Sequence, residues 1–191
     1  MKKGASLLLA AAVGVGAFAA TRNASALGPV DLEIGAKVGG ATNPSSSDGP
    51  NALGFGLGAR AGVSFMNVYG GVSFMYYFGG STDLSVPGIA GSEHVSGHSI
   101  LYGVEGGYNL SLPIITLRPQ LGIGNFTLSQ SIDIPGATTP DVNNIYLEPG
   151  VTALITVGTW YIGADANLLF LPGLDGSQTA FTVHGQVGFK L

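Results

Sequence analysis

The chain has no cysteine, which excludes a disulfide framework, thiolate chemistry and a lipid-modified N-terminal cysteine. It also has little charge. Asp, Glu, Lys and Arg make up 9% of 191 residues, against about 25% in ordinary globular domains, so a dispersed soluble domain fits poorly. Basic residues number seven against eleven acids, a net charge of −4. An acidic, lysine-poor surface argues against nucleic acid, whose backbone is held by Lys and Arg. No apolar run is long enough for a membrane helix. The longest, Leu7–Ala20, has 14 residues, short of the ~20 that span a bilayer. The glycine runs are no phosphate-binding loop, because none opens a helix.

The N-terminus is patterned as a secretory signal. Lys2 and Lys3 form a positive start, Leu7–Ala20 an apolar centre, and Ala24-Ser25-Ala26 the small residues a signal peptidase needs. Cleavage is therefore expected after Ala26, with residues 1–26 a leader and 27–191 one domain of about 165 residues. The leader holds Lys2, Lys3 and Arg22, so the mature chain keeps four basic residues against eleven acids, a net of −7.

After Leu27 the dominant signal is a period of two. Leu53, Phe55, Leu57, Ala59, Ala61, Val63 and Phe65 alternate with Gly54, Gly56, Gly58, Arg60, Gly62 and Ser64. Similar segments are read at about 31–39, 68–78, 99–110, 114–128, 144–155, 160–170 and 179–191, eight strands in all. Their connections run long, short, long, short, long, short, medium; the long ones are read at about 79–98 and 129–143. Such a rhythm belongs to membrane barrels with short turns on one side and longer loops on the other. An exported chain that is apolar along every strand and has no spanning helix satisfies its backbone in lipid only by closing a sheet. The expected fold is all-β: an eight-stranded antiparallel up-and-down transmembrane β-barrel, closed between the first and last strands, in the outer membrane of a Gram-negative bacterium.

The two faces of the strands differ in chemistry. Aromatics on the apolar face sort to strand ends, with Phe65, Tyr108, Trp160 and Phe189 near the short turns. Phe55, Phe74, Tyr76, Phe78, Tyr102, Phe170 and Phe181 lie toward the long loops. Two aromatic girdles around an aliphatic band suit the lipid interfaces. Glu33, Lys37, Arg60, Glu105, Arg118, Glu148, Asp165, His184 and Lys190 all fall on the opposite parity. Inside a narrow barrel such charges must pair. Inward glycines leave room for inward Tyr69, Tyr77, Tyr146 and Tyr161, and eight strands enclose a lumen just wide enough for side chains to fill.

Sharper sites compete with this interior network. His94 and His98 beside Glu93 have metal-like spacing on a long loop, but zinc wants three or four ligands, so neither metal nor cofactor is expected. His184 with Asp165 on the adjacent strand suggests a hydrolase relay, yet His184 has inward parity, out of reach of lipid. The loops hold Asp48, Asp83, Glu93, Asp133, Asp141 and Asp175 and not one Lys or Arg. Contact with lipopolysaccharide phosphates would then go through divalent cations. Pro119 and Pro149 share the apolar parity of strands five and six. Symmetry about Ile134 would set them face to face, with missing ladder bonds toward strands four and seven.

Together the leader, the eight strands, the charged interior and the C-terminal strand resemble the small OmpA/OmpX-type outer-membrane barrels. Phe181, Val183, Gly185, Val187, Phe189 and Leu191 keep the alternation that in that family signals assembly, although the family ends on an aromatic residue and this chain on Leu. The resemblance spans 31–191. It implies lipid and lipopolysaccharide as surroundings and the barrel assembly machinery as a partner in biogenesis. The expected function is non-enzymatic, in envelope structure or surface interaction. A narrow porin-like channel for ions or small hydrophobic solutes and a lipid-modifying enzyme stay open as alternatives.

Overall fold

The computed structural model describes residues 30–42, 53–85, 92–132, 141–172 and 178–191, with backbone alone at 81–85, 92–96 and 130–132. Residues 1–26 and their expected cleavage site lie outside the described residues, as do Asp48, Asp133, Ile134 and Asp175. The chain divides into two compact units, Met1–Val30 and Asp31–Leu191; the second carries the sheet apart from Val30. Among the described residues no helix is long and apolar enough to cross a membrane.

The strands are β1 (Val30–Ala41), β2 (Gly54–Phe65), β3 (Val68–Tyr77), β4 (Ser81–Ser85), β5 (Ser92–Tyr108), β6 (Leu110–Ser111), β7 (Thr116–Ile132), β8 (Val142–Val157), β9 (Trp160–Leu171) and β10 (Gln178–Lys190). Both β3 and β4 pair with β5, and both β5 and β6 pair with β7. Each pair is thus one interrupted barrel strand, and the ring has eight: β1, β2, β3/β4, β5/β6, β7, β8, β9, β10. Closure is antiparallel, from Glu33↔Lys190 to Ala41↔Thr182. Reciprocal 2.8 Å bonds between the backbones of Leu32 and Leu191 extend it to the last residue. A closed ring leaves no strand edge for lipid to meet.

Local chemistry explains the turns. Met66 and Asn67 both have positive φ, 48° and 72°, the mirror-image hairpin geometry whose twist matches its flanking strands. Longer strands take up part of two of the long loops read from sequence. The β4–β5 ladder runs from Ser81↔Ser96 to Ser85↔Ser92, and β7–β8 reaches Leu128↔Val142. These extensions are polar, so alternation of hydropathy could not reveal them, but backbone pairing needs no apolar face. His94 and His98 consequently sit on β5 rather than on a loop; the His98 ring stacks on Tyr76 at 5.5 Å.

Space inside the barrel is shared between tyrosines and glycines on facing strands. A Cβ added at Gly62 or Gly71 would strike the Tyr69 ring, and one at Gly35 or Gly188 the ring of Tyr161. One parity differs from the sequence reading. Leu53, expected among the lipid-facing residues, is fully buried in the interior. Gly54, the first residue of β2, follows it with φ +51°, a left-handed kink open to glycine that breaks the alternation at the start of the strand.

The two strand prolines do not face each other. Pro119 pairs with Val151 and Pro149 with Leu121, an offset of two positions that centres the hairpin on residue 135 rather than 134. The expected ladder gaps do occur. Pairing of β7 with β5/β6 lapses between Gly107↔Gln120 and Leu110↔Leu117, beside Pro119. Pairing of β8 with β9 lapses between Leu147↔Phe170 and Gly150↔Asn167, beside Pro149. Both prolines turn their missing N–H away from the β7–β8 ladder, which is why that ladder stays unbroken from Thr116↔Leu154 to Leu128↔Val142. Pro149→Ala should supply the absent donor and raise the unfolding free energy by about 1 kcal/mol. Urea titration in lipid vesicles measures it; no gain would show that no carbonyl awaits the N–H.

Candidate functional site: the enclosed polar network

Alternation sends every second side chain into the lumen, where seven expected network residues are buried: Glu33, Lys37, Arg60, Glu105, Arg118, Asp165 and His184. Glu148 is half-buried, and Lys190 lies at the short-turn rim with a quarter of its side chain exposed. These charges form local partnerships, and polar side chains link them: Arg60 Nη2 donates to Gln120 Oε1 at 3.4 Å, Gln120 Nε2 to Asn167 Oδ1 at 3.3 Å, and Asn167 Nδ2 to Asp165 Oδ1 at 2.8 Å.

The first joins four strands. Arg118 on β7 donates from Nη2 to both oxygens of Glu33 on β1, at 2.7 and 2.8 Å. Its Nε donates to Asn109 Oδ1 at 2.6 Å, and Asn109 Nδ2 donates to Ser64 Oγ on β2 at 3.0 Å. The guanidinium lies 3.8 Å from the centre of the Tyr69 ring. Asn109 is inward at the break between β5 and β6, so the lapse in the ladder near Pro119 coincides with a side chain that holds Arg118. In the second partnership Arg60 on β2 contacts Glu105 Oε1 on β5 at 2.6 Å, and Tyr69 Oη donates to the same oxygen at 2.7 Å. Arg60 Nη1 also donates to Gln186 Oε1 on β10 at 3.1 Å.

The third centres on Asp165. Lys37 Nζ stands 3.1 Å from Oδ2, His184 Nδ1 is 2.6 Å from Oδ1, and Asn167 Nδ2 donates to Oδ1 at 2.8 Å. His184 Nε2 is 2.7 Å from Tyr77 Oη. Both ring nitrogens are engaged, and the ring is 1% exposed. The arrangement has the order of a nucleophile–base–acid relay, but the group at its head is a phenol enclosed in the barrel. Glu148 accepts from Thr182 Oγ1 at 3.0 Å, and Thr182 Oγ1 accepts in turn from Asn167 Nδ2 at 3.3 Å. Lys190 bridges the short-turn rim, 3.0 Å from Asp31 and 3.8 Å from Glu33.

Arg60 Nε, Arg118 Nη1, Tyr161 Oη and Gln186 Nε2 are buried donors with no hydrogen-bond partner among the described residues, the kind of group that buried water satisfies. Among the described residues no group of three or more His, Asp or Glu could hold a metal ion.

Sequence reasoning missed a second interior layer. Leu53, Met75, Tyr77, Leu101, Phe126, Tyr146, Leu169, Leu171 and Ala180 form one buried cluster toward the long-connection end. Met75, Leu101 and Phe126 follow one another across β3, β5 and β7. Met75, Leu101, Phe126, Leu169, Leu171 and Ala180 share the inward parity, which was the available signal. They carry no charge, so nothing but that parity distinguishes them from the apolar residues of the outer face. Tyr77 joins the layers, with its ring in the apolar cluster and its hydroxyl on His184.

The outer surface is apolar. Phe55, Phe65, Phe74, Phe78, Tyr102, Tyr108, Trp160, Phe170, Phe181 and Phe189 are exposed, and Tyr76 is half-buried. Trp160 and Phe189 are in contact at the short-turn end, with ring centres 3.9 Å apart. At the other end Phe78 stacks on Phe55 at 6.1 Å and meets the edge of Tyr76 at 5.1 Å. Exposed apolar rings over a charged interior invert the order of a water-soluble protein.

A closed ring of eight antiparallel strands, apolar outside and filled inside, defines the class: the fold is that of the small outer-membrane β-barrels. Solved structures agree. Neisserial surface protein A matches with a TM-score of 0.54 at 16% identity, over 85% of this chain and 96% of that one. Ail, the attachment invasion locus protein of Yersinia pestis, solved in complex with the heparin analogue sucrose octasulfate, matches at 0.52 and 14% identity, over 85% and 97%. A major outer membrane protein from Thermus thermophilus matches at 0.58 and 11% identity, over 85% and 99%. No family model matches the chain, and no curated protein matches it in sequence.

Arg118 engages both oxygens of Glu33 from one nitrogen. Arg118→Met leaves the Glu33 carboxylate only Lys190, 3.8 Å away, and should lower stability by about 3–5 kcal/mol, whereas adding Glu33→Leu should recover most of that loss. Urea unfolding of the two variants in vesicles measures the difference. A double variant as unstable as the single one would show that Arg118 acts by packing.

Proposed function

We propose that this protein is a non-enzymatic outer-membrane barrel of a Gram-negative envelope, serving envelope structure or surface interaction and not transport. The leader is removed after Ala26, the short turns face the periplasm, and the assembly machinery inserts the chain beside lipopolysaccharide. The observation that carries this reading is the two-layer interior. Apolar side chains occupy the lumen at the long-connection end, and the charges beneath them are bonded to one another. An ion crossing such a lumen would leave its partners for a zone that offers none.

The lipid-modifying alternative needs a nucleophile and base that lipid can reach. His184 is enclosed with both nitrogens engaged, which supports a structural role for it. A narrow channel draws its best support from the polar lumen, but it needs the apolar layer to open. The sulfated ligand of the Yersinia protein suggests no counterpart here, because the connections of this chain carry no Lys or Arg.

The refolded barrel should give a β-rich circular dichroism spectrum, heat-modifiable gel mobility, and no steady steps in planar bilayers. Large, steady single-channel steps would overturn the filled-barrel reading. Release of an acyl chain from lipid A by the purified protein would revive the enzyme.

A further inference from the structure

The outer wall has a recess beside the end of β1. Gly39, Gly40, Ala41 and Thr42 of the β1 end, Gly54 and Phe55 of β2, and Phe181 and Val183 of β10 line a groove of about 380 Å³. Its position follows from register. Gly40 pairs with Val183 and has the outward parity of Val38, so the wall at that height lacks a side chain between two strands that carry them. Gly54, also without a side chain, lies next to it; a Cβ added at Gly40 would come 3.2 Å from the Gly54 carbonyl oxygen. Phe55 rises on one side, Phe181 and Val183 on the other, each 45–56% exposed. The one side-chain hydroxyl of the lining, Thr42 Oγ1, already accepts from the Phe181 backbone N–H at 2.9 Å. No charged residue lines the groove.

We infer that this recess is a lipid site which seats one acyl chain of an outer-membrane lipid between Phe55 and Phe181. The occupant follows from where the groove lies. It is continuous with the exposed apolar belt and opens on the barrel's outer face at the long-connection girdle, where acyl chains run up to the headgroups. A methylene chain can lie along a floor of glycine backbone between two aromatic walls, and the lining offers a headgroup no charge and one hydroxyl proton, that of Thr42. Most of the belt is studded with side chains, apart from a second gap at the paired outward glycines Gly70 and Gly106. In the recess lipid would enter a concavity, where contact area per methylene is larger, and burial stabilises in proportion to area. The chain held here should exchange more slowly than its neighbours.

This inference rests on the proposed membrane insertion, and its test separates the two. The full mature barrel is refolded in micelles doped with dipalmitoyl phosphatidylethanolamine, and native mass spectrometry counts lipids kept after the detergent is stripped. Wild-type barrel should keep a single lipid. Gly40→Phe fills the floor and should lose that lipid several-fold, while Gly70→Phe should keep it. Gly70 is an outward glycine elsewhere on the wall, where an added Cβ meets nothing within 4 Å. Val183→Trp fills the groove from its wall and tests the same site should Gly40→Phe fail to fold. Equal retention by wild type and the filled variants, or none by wild type, in a barrel with heat-modifiable mobility overturns the lipid site alone. Loss of that mobility in the wild type overturns the insertion on which it depends.

Discussion

Closure of β10 on β1 is the constraint from which the rest of this structure follows. In hydrocarbon a backbone amide has no water to fall back on, so an open edge would leave a row of unpaired groups. The ring removes the edge, and in doing so divides every strand into a lipid face and a lumen face. Strand prolines, usually found at edges, have nowhere to hide in a ring. Pro119 and Pro149 are accommodated by turning outward from their shared hairpin, at the expense of short lapses in the two flanking ladders. The lapse beside Pro119 is also where Asn109 reaches Arg118, so a backbone concession and a side-chain anchor coincide.

Enclosure then dictates the chemistry of the lumen. Charges brought out of water must meet partners of opposite sign and spare hydrogen-bonding capacity. The barrel supplies these from strands distant in sequence: Arg118 with Glu33, Arg60 with Glu105, Lys37 and His184 with Asp165. The network crosses the lumen from wall to wall and so ties the ring together from inside. Above it lies the apolar layer containing Leu101, Phe126 and Leu169.

The barrel could be read from the chain because a two-residue period is local and each strand carries its own copy. Strand two shows how far that goes: thirteen residues of alternation assigned its faces correctly up to Leu53, where Gly54 takes a left-handed φ and the parity reverses. Hydropathy could not register that kink, and it could not see the polar ends of the β4–β5 and β7–β8 hairpins, where pairing continues without an apolar face. Hairpin register escaped in the same way. The β7–β8 hairpin centres one residue beyond the symmetric guess, a shift of two in the partner of each proline that no residue of either strand announces.

Which residues face lipid and which face the lumen was written along the chain, because alternation is a property of neighbours in sequence. The charged character of the lumen was written there too, in the parity of Glu33, Arg60, Arg118 and Asp165. Which charge meets which emerged with the closed ring, because partners such as Arg118 and Glu33 lie 85 positions apart and are joined by the register of the strands between them. Folding likewise sorted the inward apolar residues into a layer at one end and left a recess in the wall at Gly40 and Gly54. Faces are set by a two-residue period within one strand, whereas partners and recesses depend on how eight strands are staggered around a ring.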